Sequence, residues 1–203
     1  MLFSYKMTDD VGFAPNPFHG FLSLATCKPK IRLKKDKGNY IAGFTSKELC
    51  GEKVGHERLV FIMKVTEKVN FDRYWNDPQF QIKKPNRNSK INTRGDNIYE
   101  PIKNLNKFDI NNYIQHPNYF HFEREREHDL TGQFVLLSDE FFYFGMGAIP
   151  LDEFKINIPR TQSAHGVKTD DGLEIKKIWE YLSANFPKSV PINRPHKWPT
   201  EML

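Results

Sequence analysis

The feature of this sequence that most constrains its fold is one amphipathic segment that follows a long series of strand-like segments. Between residues 173 and 186, large apolar side chains recur at helical spacing while charged residues point elsewhere. The apolar positions are Leu173, Ile175, Ile178, Trp179, Leu182 and Phe186. Four prolines follow, so the tail should be extended, with Trp198 packing it onto the body. We therefore expect one helix that docks on a sheet.

Six segments before this helix are apolar, rich in β-branched or aromatic residues and separated by turn-forming residues. These predicted strands span residues 2–5, 21–26, 40–45, 58–69, 133–137 and 141–144. The last two are expected to pair with each other. Residues 71–75 are expected to form one or two helical turns capped by Asn70.

These patterns predict an α+β fold that is mostly β, a small barrel with peripheral helices and a C-terminal helix. The length fits a single domain, 1–203, with a barrel-like β core over residues 1–150 and a helix and extended tail over residues 151–203. Hydrophobic residues at 38% and aromatic residues at 14% suffice for a core, which excludes global disorder.

Charge and cysteine content narrow the expected partners. Cys27 and Cys50 are too few for a disulfide framework, and the chain shows neither a secretory pattern nor a long apolar run, so we expect a cytoplasmic protein with no membrane contact. The formal net charge of +5 is compatible with a polyanionic partner. Because no nucleotide-binding glycine loop or compact metal-ligand spacing occurs, we expect no cofactor and no metal.

A predicted strand runs directly into three cations at alternate positions, Lys28, Lys30 and Arg32. In an extended chain these side chains point to one side, where they can follow phosphates. An edge strand on which lysines prevent pairing explains the same pattern equally well.

Aromatic and polar residues elsewhere suit a pocket for a nucleobase. Tyr74, Trp75 and Tyr143 belong to a set of rings larger than a core of this size needs, and bases stack on such rings, although most rings should pack inside. A basic loop, residues 81–97, is expected to be exposed and mobile. It ends in a Gly-Asp-Asn-Ile-Tyr turn, residues 95–99, which suits either a pocket lip or an ordinary turn.

Catalytic groups are harder to find. Cys27 beside Lys28 can have a lowered thiol pKa, and Asp96 near apolar rings can have a raised carboxyl pKa suited to proton transfer. The seven histidines are scattered, however, and none is spaced as a base for Cys27. A structural role explains this thiol better.

At these same residues the chain resembles the nucleotide-modification-associated domain family, second type, of prokaryotes and their phages. Five short motifs in the same order carry the resemblance: residues 12–17, residues 24–29 with Arg32, residues 74–77 with Phe80, residues 95–99, and residues 137–145. The asparagine-rich stretch 104–112 departs from the family pattern. The resemblance implies a domain linked with modified bases in nucleic acid. The order of strand, loop and basic exit also looks like the PUA-like barrels of EVE, YTH and ASCH domains, which hold a base in an aromatic or polar pocket.

Three hypotheses follow. The leading one is a reader that takes a modified base or nucleotide into one pocket, as part of prokaryotic or phage nucleic-acid modification or defence. Its predicted base ligands are Asn16, Tyr74, Trp75, Asp96, Asn97, Tyr99 and Tyr143, and its predicted phosphate ligands are Lys28, Lys30 and Arg32. The alternative is an enzyme that modifies or processes a nucleobase, with Asp96 and Cys27 as candidate catalytic groups. The third is an interaction protein with no nucleic-acid role.

Overall fold

The computed structural model describes residues 1–199, which contain ten strands and five α-helices. The strands are β1 Leu2–Lys6, β2 Leu22–Leu24, β3 Tyr40–Phe44, β4 Leu59–Lys64, β5 Glu67–Asn70, β6 Tyr99–Pro101, β7 Tyr113–Gln115, β8 Phe134–Ser138, β9 Glu140–Tyr143 and β10 Val167–Thr169. The helices are α1 Pro29–Lys34, α2 Lys47–Cys50, α3 Phe71–Asn76, α4 Arg126–Leu130 and α5 Gly172–Asn185. Short 3-10 helices span Pro78–Lys83, Asn92–Arg94, Ile110–Asn112, Glu123–Glu125 and Gly145–Gly147.

A five-stranded sheet in the order β10-β1-β3-β4-β9 forms the centre of the molecule. Strands β1 and β3 are parallel, and the other neighbours are antiparallel. Alternate residues point to opposite faces. In β1, Leu2 packs with Ile178 and Leu182 of α5, whereas Phe3 and Tyr5 pack on the other side with the strands of a second sheet. The central sheet is therefore covered on both faces.

The second sheet, in the order β2-β8-β5, is joined to the first by a bent ribbon. Lys64 pairs with Glu140 in the first sheet, Glu67 pairs with Leu137 in the second, and the antiparallel register is the same on both sides. At the bend, the Thr66 amide donates to the Leu137 carbonyl at 2.9 Å. The segments β4–β5 and β8–β9 thus form one antiparallel ribbon that contributes strands to both sheets.

A third layer covers the outer face of this second sheet. Phe71 and Tyr74 of α3 and Tyr113 of β7 pack with Val135 and Leu137 of β8. Asn70 caps α3 as predicted, since its side chain accepts from the Arg73 amide. The basic and polar segments of interest lie at the edges of these layers.

The mixed helix and strand content of the prediction is confirmed, but several details differ. In residues 1–199 the strands lie in sheets of five, three and two, and none of these closes into a barrel. The predicted 58–69 strand is divided into β4 and β5. The predicted pairing of 133–137 with 141–144 is wrong, because β8 pairs with β2 and β5 while β9 pairs with β4. The sequence pattern does not indicate the short strand β10.

The C-terminal helix is confirmed as α5, where Asp171 caps the first turn by accepting from the Leu173 and Glu174 amides. Ile178 and Leu182 are buried as predicted, but Leu173 is 74% exposed because it lies on the opposite side of the helix from the face that Ile178 and Leu182 bury. The ring of Trp198 packs against Phe18, with ring centroids 5.8 Å apart, as expected for the tail. No helix within residues 1–199 has both the length and the apolar character needed to cross a membrane.

The docking of α5 can be tested with two identical substitutions in one helix. Leu182→Ala leaves a cavity at a fully buried position and should lower the free energy of unfolding by about 2–5 kcal/mol. Leu173→Ala, at an exposed position, should change it by less than about 0.5 kcal/mol. Urea denaturation measures both, and equal losses would contradict the packing described above.

Candidate functional site

Asp96 lies at the centre of a fully buried polar cluster. Its Oδ1 accepts from the Tyr74 hydroxyl and its Oδ2 from the Ser23 hydroxyl, both at 2.7 Å. Nearby, Lys83 Nζ donates to Asn16 Oδ1 at 2.7 Å. Burial raises the pKa of Asp96 against the opposing charge of Lys83 and lowers the pKa of Lys83 to about 8. Asn16, Tyr74 and Asp96 thus come together, but their polar atoms bond to other residues of the protein.

The rest of the 95–99 turn also serves internal packing. Asn97 Nδ2 donates to the Tyr74 and Phe80 carbonyls at 2.7 and 3.2 Å. A Cβ atom on Gly95 would lie 2.4 Å from the Lys83 carbonyl oxygen, so the close backbone approach there requires glycine. This turn fastens the 81–97 segment to α3.

The remaining predicted rings lie in other places. Trp75 is half-buried and stacks on His116, with centroids 4.7 Å apart, while Lys84 Nζ lies 3.5 Å from its ring centroid. The Tyr143 hydroxyl donates to Asp10 Oδ1 at 2.5 Å, where burial and the Asp10 charge raise its pKa. Tyr99 lies in a third environment, described below. The seven predicted base ligands therefore do not meet in one cavity.

The 81–97 segment is not the exposed loop that its charge pattern predicts. Lys83 and Arg94 are both buried. The Arg94 guanidinium lies 4.1 Å from the Phe120 ring centroid and 4.7 Å from that of Trp198. Lys83 thus binds the body and Arg94 lies between the body and the tail, while residues 81–82, 86–89 and 91 are exposed.

The basic exit after β2 is helical, not extended. Cys27 and Lys28 adopt the left-handed conformation, with φ of 54° and 42°, and Pro29 then starts α1. Two consecutive non-glycine residues in this region are strained. The turn separates the three predicted phosphate ligands, since Lys30 is exposed, Lys28 is half-buried and Arg32 is fully buried.

Arg32 and Asp129 form the buried pair that holds this turn. The Arg32 guanidinium donates to the carbonyls of Cys27, Phe134 and Asp129 at 2.8, 2.9 and 2.5 Å. Asp129 Oδ1 accepts from the Cys27 amide at 2.7 Å and lies 3.8 Å from an Arg32 nitrogen. Both polar groups of the strained Cys27 backbone are therefore bonded to this one pair.

The other oxygen of Asp129 contacts a histidine and a tyrosine. His121 Nε2 lies 2.7 Å from Asp129 Oδ2, and the Tyr99 hydroxyl donates to the same oxygen at 3.1 Å. His121 Nδ1 lies 3.2 Å from Glu125 Oε2, so both ring nitrogens face carboxylates. Burial and the Asp129 charge raise the pKa of Tyr99, which keeps it a hydrogen-bond donor.

Of these residues, Cys27, His121, Glu125 and Asp129 line a cavity of about 470 Å³, which we call the Cys27 pocket. It lies between the end of β1, the 27–30 turn, the 121–129 segment and the 162–164 loop. Its charged and polar lining includes Asp9, Lys28, Lys30 and Gln162. Lys28 Nζ lies 4.6 Å from the Tyr5 ring centroid, at the pocket wall. The volume is in the range of small-molecule sites.

Cys27 is solvent-accessible, but its sulfur lies in crowded surroundings. Desolvation and the Asp129 charge raise the pKa of its thiol to about 12, against the opposing effects of Arg32 and the Thr26 hydroxyl. The lowered pKa expected beside Lys28 is therefore wrong in direction. At neutral pH this thiol is protonated.

A larger cavity of about 640 Å³ lies on the other side of His121. Its wall includes Arg87, His116, Tyr119 and Phe122, and the last two are 83% and 60% exposed. His121 also lines this cavity, but the buried ion pair and the strained turn belong to the Cys27 pocket. We therefore place the candidate site in the Cys27 pocket.

Sequence reasoning does not find Asp129 or the part played by His121. Asp129 lies in a mixed-charge segment that indicates only surface, and its partner Cys27 is 102 residues away. The left-handed turn has a weak signal, because Pro29 fixes a helix start immediately after an apolar strand. The sequence pattern indicates Tyr5 only as a strand residue.

The fold and the cavity define a mixed α/β protein with a preformed pocket, lined by both lysines and carboxylates, where β1, α1 and α4 meet. The chain belongs to the family described as nucleotide modification associated domain 2, whose match covers residues 1–202. The resemblance carried by the short motifs is thereby confirmed. The family places the chain in the context of nucleotide modification. Comparisons with curated proteins and with solved structures find no match.

The importance of the Arg32–Asp129 pair can be measured against a surface pair. Arg32→Met removes the opposite charge beside the buried Asp129 carboxylate and leaves three backbone carbonyls without their donor, so it should lower the free energy of unfolding by about 3–5 kcal/mol. Arg58→Met removes a partner of Glu52 at a position that is 44% exposed and should cost less than about 1 kcal/mol. Urea denaturation measures the free energy of unfolding of both variants. Similar losses of stability would mean that Arg32 does not hold the turn.

Proposed function

We propose that this chain recognises a modified base or nucleotide, and that its ligand enters the Cys27 pocket. The observation that carries the proposal is the strained Cys27–Lys28 turn, held by a buried ion pair at the wall of a cavity of nucleotide size. Strain that the surrounding structure maintains at a cavity is typical of binding sites. The family context of nucleotide modification supports the class of ligand.

The charges at the pocket suit a nucleotide with its phosphate at the mouth. Lys28 and Lys30 line the pocket, and Lys30 is exposed to solvent, where it can bind a phosphate oxygen. Arg32, the third predicted phosphate ligand, is buried and orients the turn by donating to the Cys27 carbonyl. We therefore assign phosphate contact to Lys28 and Lys30 and a positioning role to Arg32.

The pocket lining also offers groups that can read a base edge, and its Asp9 and Gln162 side chains are exposed to solvent. The Asp9 carboxylate accepts, the Gln162 amide both donates and accepts, and the Tyr5 ring offers an apolar surface. Gln162 Nε2 also donates to Thr8 Oγ1 at 3.2 Å, which positions its amide at the pocket. Of the base ligands predicted from the sequence, Tyr99 acts here through Asp129. Asn16, Tyr74, Asp96 and Asn97 hold the 81–97 segment against the body and do not line the pocket. The comparison with PUA-like readers stays a prediction.

A steric block tests the pocket directly. Ala164 is exposed at the pocket wall, so Ala164→Trp should fill the mouth without disturbing the core. Affinity for the best ligand in a panel of nucleoside monophosphates, with and without methyl or hydroxymethyl groups on the base, should fall roughly tenfold or more by isothermal titration calorimetry.

The matched control is Ala184→Trp, which places the same side chain at an exposed position of α5. It should bind like the wild type. Equal affinity of all three proteins for the ligand would exclude the Cys27 pocket as its site. A panel in which ordinary and modified nucleotides bind equally would reject recognition of the modification.

The enzyme alternative retains one specific observation, the presence of Cys27, His121 and Asp129 around one pocket. Asp96, the other candidate catalytic group, is fully buried in the separate polar cluster described above. Incubation with modified and ordinary nucleotides, followed by mass spectrometry, would reveal turnover. Turnover that is lost in Cys27→Ser would favour the enzyme.

The protonation state of Cys27 provides a further test. In a Cys50→Ser background, alkylation by iodoacetamide should be slow at pH 7 and should accelerate about tenfold per pH unit up to pH 10, because only the thiolate reacts and the thiol pKa is raised to about 12. A Cys27→Ser protein reports the reaction of Cys50 alone. A rate that levels off below pH 9 would reveal an activated thiolate and support the enzyme alternative.

A further inference from the structure

Lysines extend from the Cys27 pocket along one side of the molecule, and we call this surface the lysine ridge. It consists of Lys28, Lys30, Lys34, Lys35 and Lys168. Lys30 and Lys34 are exposed and lie one helical turn apart on α1. The ridge therefore starts at the pocket mouth and continues past it.

The sheet below fixes the position of the other ridge lysines. Phe3 and Tyr5 project from the same face of β1; Lys35 Nζ lies 3.5 Å from the Phe3 ring centroid and Lys28 Nζ lies 4.6 Å from that of Tyr5. Lys168 of β10 is directly opposite Phe3 in the antiparallel register, so its side chain leaves the sheet on that face. The ridge is thus built on two strands and a helix.

The electrostatics agree with this arrangement. Desolvation, followed by the charges of Lys34 and Lys168, lowers the pKa of Lys35. His165, beside the ridge, has a pKa lowered by desolvation and by Lys30, Lys34 and Lys35. Two acids lie close: Asp36 pairs with Lys68, outside the ridge, at 2.8 Å, and Asp170 pairs with the ridge residue Lys168 at 2.7 Å. The other four ridge lysines outnumber these acids. Positive charge dominates the surface.

The length of the ridge exceeds what one nucleotide needs. Helix α1 alone rises about 9 Å over its six residues, from Pro29 beside the pocket to Lys34. A mononucleotide whose base lies in the pocket can place its phosphate at Lys28 or Lys30, but it does not reach Lys34 or Lys35, and Lys168 then has the Asp170 carboxylate, at 2.7 Å, as its anionic partner. A chain of phosphates can contact all of them.

We propose that the ligand of the Cys27 pocket is an unpaired nucleotide within a nucleic-acid strand, and that the lysine ridge binds the phosphates of its neighbours. This inference rests on the proposed function, because it takes the base to lie in the pocket. It names the substrate class as a single-stranded segment of DNA or RNA, since a base must leave a duplex to enter the cavity.

The test compares a ten-nucleotide strand with a mononucleotide that carries the same base. Lys34→Glu with Lys168→Glu should weaken binding of the labelled strand at least tenfold in fluorescence anisotropy. The dependence of log K on log salt should also become shallower, by about 0.7 for each phosphate that the variant no longer neutralises. Affinity for the mononucleotide should stay at the wild-type value in calorimetry. Labelled DNA and RNA strands, tested in parallel, decide between the two sources.

The matched control is Lys53→Glu with Lys176→Glu, which makes the same charge change at exposed positions off the ridge, with Lys176 on helix α5 behind the sheet. It should leave strand binding near the wild-type level. Thermal melts confirm that each variant folds. Lys34→Gln with Lys168→Gln should produce a smaller loss of the same kind.

The outcomes separate the two proposals. The inference would be overturned if charge reversal on the ridge left the strand affinity and its salt dependence unchanged. It would also be overturned if the strand bound no tighter than its mononucleotide. Neither result would contradict the pocket. If Ala164→Trp left mononucleotide binding unchanged, the pocket would be overturned as the binding site. Strand binding that depends on the ridge lysines could still be observed in that case. Failure of every nucleotide and strand to bind would reject both.

Discussion

The candidate site depends on one buried ion pair. Cys27 and Lys28 both adopt the left-handed conformation, which costs on the order of 1–2 kcal/mol for each non-glycine residue. Asp129 binds the Cys27 amide and Arg32 binds its carbonyl, so the pair stabilises the strained backbone from both sides. Each charge is desolvated, but the other hydrogen bonds of the pair satisfy it. The pocket wall is therefore fixed before any ligand arrives.

Local patterns in the sequence predict the elements better than their partners. The cap at Asn70 and the buried face of α5, apart from Leu173, follow from neighbouring residues, and the structure confirms them. The ribbon of β4–β5 against β8–β9 changes sheets at a bend, which alternation of side chains alone does not encode. Strand β10 has three residues, and its pairing with β1 depends on contacts more than 160 residues apart.

The site is predictable only in part for a related reason. Polar residues next to aromatic ones suggest a pocket, but the same composition serves a buried network when each group finds an internal partner. Asp96, Tyr74 and Asn16 form such a network, and Lys83 and Arg94 are buried in a segment whose charge pattern is that of an exposed basic loop. Lys28 and Lys30 of the basic exit line the Cys27 pocket, and their contact with phosphate stays a prediction. Asp129 lacks a local signal, since only the tertiary fold brings it to Cys27.

The same geometry favours recognition over covalent chemistry. A nucleophilic cysteine needs a nearby base or a lowered pKa, whereas desolvation keeps the Cys27 thiol protonated and His121 has both nitrogens against carboxylates. A rigid wall gives binding without the entropy cost of ordering a loop, so more of the contact energy remains for selection among ligands. Lys34, Lys35 and Lys168 lie outside the pocket wall and attract anions at longer range. This attraction weakens as the salt concentration rises. A shaped cavity whose mouth continues into a charged surface is what the proposed base-selective binder of a phosphate chain requires.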